Sequence, residues 1–364
     1  MEKMSSRERW LAAIKFQPVD RLPFWPKLEP SYPRAQSRDF KRLGIEGIHD
    51  WIGSDNHSWL PSCVREVYEG ISKEVSRDGN SERMLFRTER GSVETLLKFD
   101  VISQGWHPVE MAIRTLEDLK VMTDWFSACR AELNGEGLAE ATEIARRLGS
   151  GGVTAENIGE SPLMFFVEWL AGIENAHYLL ADHRTEVEAL FAAIHGLLLK
   201  KTEIVAENSP ADLLYFTENT STTLISPQQY RDFCLKHIAD YGRIINGKGR
   251  NFVLHMCGHL KKLLPDLVDS PAVAFEAFTS PPVGNTRLLD GRLGCPDKCL
   301  IGGTNATLWL KNPDDIIAEI EDDLEKLPDQ RGLIVTSAGV MPPLCKPETI
   351  KAVCDWVKSY RPRV

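Results

Sequence analysis

The feature that most constrains the fold is a regular alternation of strand-like and helical segments from residue 151 onward. Short apolar runs such as GGVTAENIG, DLLYFTEN and NFVLHMC are each followed by a helical pattern, and the alternation continues through AVAFEAF, CLIGGTN and GLIVTSA. Parallel strands need a crossover connection, which is usually a helix, so this rhythm predicts an α/β fold built on a parallel sheet.

The first 150 residues have a different pattern. A capping box at Ser5 and Glu8 predicts a first helix, VDRLPFWPKL predicts a first strand, and residues 82–100 predict an antiparallel hairpin that turns at Arg90 and Gly91. We therefore expect one domain over 1–364, with N-terminal helices, the first strand and the hairpin in 1–150 and the main βα repeats in 151–364.

The pattern contains seven strands, which fits either an eight-stranded barrel or an open doubly wound sheet. The chain lacks both G-x-G-x-x-G and G-x-x-x-x-G-K-[ST], the phosphate-binding turns of common open-sheet folds. This absence favours a TIM-like (β/α)8 barrel with an N-terminal extension that includes the hairpin.

Composition excludes several classes of function. The net charge is −9 and no Lys/Arg-rich run is present, so we expect no nucleic-acid partner. No apolar run approaches the roughly 18 residues that span a membrane, and the charged start MEKMSSRERW lacks the apolar core of a secretory signal. A cytoplasmic location with eight reduced cysteines is expected.

Polar side chains follow several predicted strands, and in a parallel α/β fold the carboxyl ends of the strands carry the functional groups. These side chains are Glu156, Asn157, Glu218, Asn219, His255, Cys257, Glu276, Asn305 and, in the loop after the last strand, Cys345. The sequence therefore predicts a site at one end of the barrel.

His255 and Cys257 are the most specific pair in this set. Two positions apart on a strand, they project to the same side, and imidazole with thiolate is a donor set suited to zinc. A catalytic zinc needs a third protein ligand, which Cys345, Glu218 or Glu276 would supply. Cys345 precedes the helix that begins at Pro347, whose dipole is expected to lower the thiol pKa. The alternative is that the pair simply fills the core.

Four segments carry a family resemblance in the same order along nearly the whole chain. RERWLAAIKFQPVDRLPFWP, SPQQYRDFCLKHIADYGRIINGKGRNFVLHMCGHLKKLLPDL, IGGTN and MPPLCKPETIKAV resemble the uroporphyrinogen decarboxylase superfamily, in particular its branch of corrinoid-dependent (methylcobamide) zinc methyltransferases. The resemblance implies a TIM-like barrel, and it implies that His255 and Cys257 correspond to the zinc-binding His-x-Cys of those enzymes.

Two departures refine the resemblance. The decarboxylases have an arginine-rich stretch near the N-terminus that holds the substrate's carboxylates, whereas KLEPSYPRAQ here contains Arg34 alone. The thiol-methylating relatives have a zinc cysteine directly after the last strand, where this chain has SAGVMPP and then Cys345. FEAFTSPPVGNT and TENTSTTLISP are more similar to the branch that demethylates methoxylated aromatics.

The resemblance thus implies a zinc-dependent methyltransferase of the O-demethylase type, which moves a methyl group between a small methylated donor, such as a methoxylated aromatic, and cobalt. Glu218, His255, Cys257 and Glu276 are the expected catalytic residues, and Trp25, Tyr32, Trp59, Phe216 and Asn219 the expected substrate pocket. The chain has no D-x-H-x-x-G cobalamin loop, so a separate corrinoid-binding protein is the expected partner. The alternatives are a methylcobamide:thiol (coenzyme M-type) methyltransferase, a uroporphyrinogen-type decarboxylase and a noncatalytic barrel.

Overall fold

The computed structural model describes residues 3–102 and 104–363. The N-terminal elements are α1 (Ser6–Ile14), β1 (Phe24–Trp25), α2 (Ser31–Ala35), α3 (Arg38–Ile52), β2 (Asn56–Trp59), β3 (Val64–Tyr68), β4 (Ser72–Asp78), β5 (Ser81–Arg87), β6 (Ser92–Asp100), β7 (Gly105–Glu110), α4 (Leu116–Ala128), β8 (Cys129–Leu133) and α5 (Gly135–Leu148).

The remaining elements follow the predicted alternation. They are β9 (Gly152–Gly159), α6 (Pro162–Phe165), α7 (Ile173–Asp182), α8 (Arg184–Asn208), β10 (Leu213–Thr217), α9 (Pro227–Phe233), α10 (Leu235–Gly247), β11 (Asn251–His255), α11 (Leu264–Leu267), β12 (Ala274–Phe278), α12 (Leu288–Gly294), β13 (Cys299–Gly302), α13 (Pro313–Glu325), β14 (Leu333–Thr336) and α14 (Pro347–Ser359). A π-helical turn over Phe166–Leu170 follows α6, and 3-10 turns lie at Gly149–Gly151 and Leu308–Leu310.

Eight strands pair in parallel in the order β1-β14-β13-β12-β11-β10-β9-β2 and form a nearly closed barrel surrounded by helices. The predicted TIM-like fold is confirmed. The eighth strand, β2, was not among the seven predicted, because the short polar segment NHSW has no apolar run of its own. It becomes a strand by pairing with β9 from Asn56 opposite Gly152 to Trp59 opposite Ala155.

β1 and β2 form the two edges at which the barrel closes, and Asp55 joins them. Its backbone N–H donates to the Phe24 carbonyl at 2.8 Å, and its carboxylate accepts the Phe24 N–H at 2.9 Å. The same buried carboxylate binds Arg9 and, at 2.7 Å, Arg21. Asp55 and two arginines thus join β1 to β2 where the barrel closes and few strand hydrogen bonds are available. We call this junction the seam.

The predicted hairpin is confirmed as β5 and β6, and it is part of a four-stranded antiparallel sheet in the order β4-β5-β6-β7. We call this the accessory sheet. Helix α4 lies against β5 and β6, and it also packs on α8, which joins the accessory sheet to the outside of the barrel. A separate two-stranded pair, β3 and β8, lies in the same N-terminal part.

The barrel separates two apolar layers. On β10, Tyr215 points into the barrel interior and belongs to the same apolar cluster as Trp25 and Val253, whereas Phe216 belongs to the layer between strands and helices. This alternation follows from the period of two along a strand. Among the described residues, no helix is long and apolar enough to cross a membrane.

Candidate functional site

Four of the predicted polar residues lie at the carboxyl ends of three neighbouring strands. Glu218 and Asn219 follow β10, His255 ends β11, and Glu276 lies on β12 opposite His255. Lys27, just after β1, completes the group from the other side of the barrel: its ammonium nitrogen lies 2.9 Å from Glu276 Oε1. We call this end of the barrel the mouth.

His255 and Cys257 are both partly exposed at the mouth, whereas Met256 between them is buried. The alternation expected for a strand therefore continues past the end of β11. Gly258 then turns the chain with a φ of +119°, and a Cβ at this position would lie 2.7 Å from Ser221 Cβ. Glycine is required here by both backbone conformation and space.

A buried carboxylate fixes the ring of His255. Glu276 binds His255 Nδ1, and Lys27 Nζ lies 3.4 Å from the same nitrogen. Burial alone would raise the Glu276 pKa, but His255 and Lys27 lower it to about 2. Burial also lowers the pKa of His255, against the pull of Glu276. These contacts fit a neutral ring whose proton is on Nδ1. The lone pair on Nε2 then points away from Glu276 and Lys27.

A second chain of contacts begins at Cys257. Its thiol donates to Asn219 Oδ1 at 3.2 Å, and Asn219 Nδ2 donates to Glu168 Oε2 at 3.0 Å. Burial is the main reason that the Cys257 pKa is raised, to about 11, although Lys27 lowers it. Without a metal the thiol is therefore protonated at neutral pH, and binding of a cation would release that proton.

Three carboxyl groups lie beside this chain, and sequence patterns single out only one of them, Glu218. Glu160 accepts from Trp169 Nε1 at 3.1 Å, and Glu218 accepts from the Ser161 N–H at 2.7 Å. In Glu160, Glu168 and Glu218 the other carboxyl oxygen is buried without a hydrogen-bond partner among the described residues. Burial is the main cause that raises their pKa values, to about 9, 7 and 7 respectively.

The donor set at the mouth fits part of a zinc site. His255 offers an imidazole and Cys257 a thiol, and the carboxylate on His255 Nδ1 is the support that a metal-binding histidine usually has. Within residues 3–102 and 104–363, however, no group of three or more His, Cys, Asp and Glu side chains is already arranged to hold a metal ion. The third ligand would have to be recruited.

Cys345, one predicted third ligand, lies buried before α14. No hydrogen bond in the described part of the chain joins it to His255 or Cys257; its carbonyl accepts from Tyr32 Oη at 2.7 Å and its sulfur lies 3.8 Å from the Lys346 carbonyl. The expected lowering of its thiol pKa is wrong. Burial raises that pKa to about 12.

The predicted aromatic pocket residues lie in two layers. Trp25 and Trp59 belong to the cluster inside the barrel, whereas Tyr32 and Phe216 belong to the outer cluster. Trp25 stacks on His57 inside the barrel with ring centroids 4.2 Å apart, and Trp59 Nε1 donates to Glu29 at 3.1 Å. Phe216 is fully buried and stacks on Tyr241 at 4.4 Å in the outer layer. The strand period places it on the opposite side from the barrel interior, so its prediction as a pocket wall is corrected. Tyr32 is also fully buried.

Four strand ends at the mouth have an unusual backbone. Lys27, Asn219, Ala277 and Ala338 have φ values of 46°, 45°, 62° and 61°, although none is glycine. Residues held in this left-handed region cost about 1–3 kcal/mol each and cluster at functional sites. Their recurrence on β1, β10, β12 and β14 marks the mouth as the constrained end of the barrel.

Sequence patterns missed Lys27, Glu29, Glu160 and Glu168. Glu160 could have been predicted from the sequence, because it directly follows Gly159, the last residue of β9. Glu168 lies in the π-helical turn, and only the fold brings it to Asn219.

One solved structure matches this fold over nearly the whole chain. A methyltransferase from Methanosarcina mazei superposes with a TM-score of 0.62 at 16% identity, over 98% of this chain and 99% of that one. A Listeria monocytogenes protein described as a vitamin-B12 independent methionine synthase gives a TM-score of 0.35 at 14% identity, over 61% of this chain and 66% of that one. No curated protein sequence matches the chain. The sequence profile described as uroporphyrinogen decarboxylase (URO-D) matches residues 105–360, and the chain therefore belongs to the URO-D family.

Proposed function

We propose that the chain is a zinc-dependent methyltransferase that moves a methyl group between a small methylated donor and the cobalt of a corrinoid held by a partner protein. A methoxylated aromatic is the donor class that we favour. The observation that supports this proposal most is the pair of His255 and Cys257 at the mouth, with Glu276 bound to His255 Nδ1. The likeness in fold to a methyltransferase supports the same class.

His255 and Cys257 would hold the zinc, with Cys345, Glu218 or Glu276 as the candidate third ligand. When bound, zinc would act as a Lewis acid on the oxygen of a methyl ether and make it a better leaving group. Glu276 and Lys27 would keep the His255 ring in one orientation. Asn219, which joins Cys257 to Glu168, would keep the sulfur in place.

Demethylation requires a proton, and a protonated carboxyl group with a raised pKa at the mouth would supply it. Glu160 and Glu168 have pKa values of about 9 and 7, mainly because they are buried. At neutral pH Glu160 is protonated and Glu168 is partly protonated, and such a carboxylic acid can donate to the oxygen from which a methyl group departs. Glu168 is the better placed of the two, because it is linked to Cys257 through Asn219.

A decarboxylase acting on a polycarboxylated tetrapyrrole is disfavoured by charge. The ammonium of Lys27 at the mouth is already bound to Glu276 and is not free to pair with a substrate carboxylate. Arg34, the arginine nearest to β1 on its carboxyl side, is exposed. The mouth therefore offers little unpaired positive charge to a polycarboxylated substrate.

Zinc content tests the metal part of the proposal. Protein purified without chelator should contain about one zinc ion per chain, and His255→Ala or Cys257→Ser should lose most of it. Cys345→Ser should weaken zinc more than Cys295→Ser or Cys299→Ser, whose thiols are packed in the core. Unchanged zinc in the His255 and Cys257 variants would contradict the site. Equal zinc in all three other variants would favour Glu218 or Glu276 as the third ligand.

A spectroscopic assay tests the reaction. The enzyme is mixed with reduced cobamide and a panel of methoxylated aromatics, methylamines, methanol and thiols, and formation or loss of methyl-cobalt is followed. Turnover should require the cobamide, free or on a partner. The absence of any spectral change, together with release of carbon dioxide from a carboxylated substrate, would refute the methyltransferase proposal and support the decarboxylase.

A further inference from the structure

A cavity of about 260 Å³ lies between the accessory sheet and the helices that cover the barrel. Its walls come from β3 to β7 on one side and from α4, α6 and the π-helical turn on the other. The cavity is partly open to solvent, so a small molecule can enter it. A cavity of about 150 Å³ is enough to bind benzene, so this one can hold a ring with substituents.

The walls are aromatic. Five rings line the cavity: Phe86, Trp125, Phe126, Phe165 and Trp169. Trp125 is set edge to face against Phe86 and Phe126, with ring centroids 5.1 Å and 5.0 Å apart. Contacts of this kind with another ring add about 0.5–1.5 kcal/mol beyond the area they bury, so the walls favour a flat aromatic ligand over an aliphatic one of equal size.

One end of the cavity is positively charged. Glu66 is already engaged on both oxygens, by Lys201 and by Tyr68 Oη at 3.0 Å. Lys73 also lines the cavity, with its ammonium 5.5 Å from the Phe86 ring, and it forms no ion pair or hydrogen bond within the described residues. Two ammonium groups against one carboxylate leave a net charge of about +1 at this end. An anionic substituent on the ligand would compensate that charge.

One wall residue of the cavity also makes a hydrogen bond to a residue at the mouth. Trp169 lines the cavity and donates to Glu160, the residue that directly follows β9. The π-helical turn that carries Trp169 is a type of irregularity often found at functional sites.

We propose that this cavity binds an aromatic carboxylate, with the ring between the aromatic walls and the carboxylate at Lys73. Binding does not depend on zinc or on a corrinoid. The proposal can therefore fail while the proposed methyl transfer holds, and the reverse is equally possible.

Isothermal titration calorimetry on the full chain, without added zinc or cobamide, tests the proposal. Benzoate and 4-methoxybenzoate should bind saturably, benzyl alcohol about tenfold more weakly because it lacks the charge, and cyclohexanecarboxylate severalfold more weakly because it lacks the ring. Failure of both benzoates to bind, or equal affinity for benzoate and cyclohexanecarboxylate, would overturn the proposal.

Variants locate the site. Lys73→Met should lower benzoate affinity about tenfold and leave benzyl alcohol unchanged, whereas Lys98→Met, on an exposed side chain of β6, should change neither. Lys73→Arg should retain binding, which separates loss of charge from loss of fold. Leu97→Trp, which fills part of the cavity, should abolish binding of both ligands. Equal benzoate affinity in Lys73→Met and Lys98→Met would place the ligand elsewhere and refute the proposal.

Discussion

At the scale of single residues, Glu276 is the group that most affects metal binding without having to bind the metal itself. Glu276→Gln should keep an acceptor for His255 Nδ1 but remove the negative charge, and zinc affinity should fall at least about tenfold, the usual result of losing such support. Competition with a chelator measures this. Glu218→Gln is the comparison: a larger loss of zinc in that variant would make Glu218 a ligand.

Glu160 makes stability depend on pH, and the sign follows from its pKa. Because the folded-state pKa of about 9 lies above the ordinary value of 4.5, the folded protein binds the proton more tightly than the unfolded chain. The stability that Glu160 contributes is complete below about pH 4.5 and is lost as the pH rises toward 9. Glu160→Gln, which still accepts from Trp169, should therefore raise the melting temperature more at about pH 8 than at about pH 4.5. An equal change at both values would contradict the assignment.

The site residues that the sequence predicts are those whose positions follow from strand geometry. His255 and Cys257 share a side because side chains alternate along a strand, and Glu276 meets His255 because β11 and β12 pair in register. Lys27 and Glu168 arrive from a loop after β1 and from the π-helical turn. Their contacts are between segments far apart in sequence, which local patterns do not encode.

At the scale of elements, the seam between β1 and β2 depends on Asp55. Removing one member of a buried ion cluster leaves the other charges uncompensated, so Asp55→Ala should lower the free energy of unfolding by about 3 kcal/mol or more. Glu132→Ala is a matched control, because its pair with Arg65 is half exposed or more on both sides and should matter by less than about 1 kcal/mol. Chemical denaturation measures the free energy of unfolding of both variants. Similar losses in the two would contradict a structural role of Asp55 at the seam.

The elements that sequence patterns predicted correctly are those with their own periodicity or cap. The capping box at Ser5 forms as expected, and Ser226 and Asn312 cap α9 and α13. The helical pattern after β9 does not form one continuous helix, since a π-helical turn ends at Leu170 and Gly172 has a φ of +76°. A mid-helix glycine permits such a break but does not require it.

At the scale of the whole molecule, we predict that the chain unfolds as one cooperative unit. The barrel sheet combines β1 and β2 from the first 150 residues with six strands from the rest, and α4 packs on α8. Calorimetry should give a single transition, and limited proteolysis should not release a stable 151–364 fragment. Two transitions or such a fragment would mean that the N-terminal part is a separate domain.

The barrel itself was favoured over an open sheet only by missing phosphate motifs and by family resemblance. Periodicity could not decide, because closure depends on β2 and on the contacts of Asp55, which involve residues without a repeating pattern. The accessory sheet was only partly predicted, since β4 and β7 are largely exposed and lack a continuous buried face.

The left-handed strand ends limit how the mouth can be re-engineered. A randomised library at positions 27, 219, 277 and 338 would lose many members for reasons of backbone geometry alone, before any substrate is offered. β-branched residues at Ala277 or Ala338 would cost about 1–2 kcal/mol, whereas Gly and Asn adopt this conformation readily. The positions to vary for a new specificity are therefore their right-handed or extended neighbours. Ala277 and Ala338 can be held at alanine or glycine, whereas Lys27 and Asn219 are kept because they contact Glu276 and Cys257.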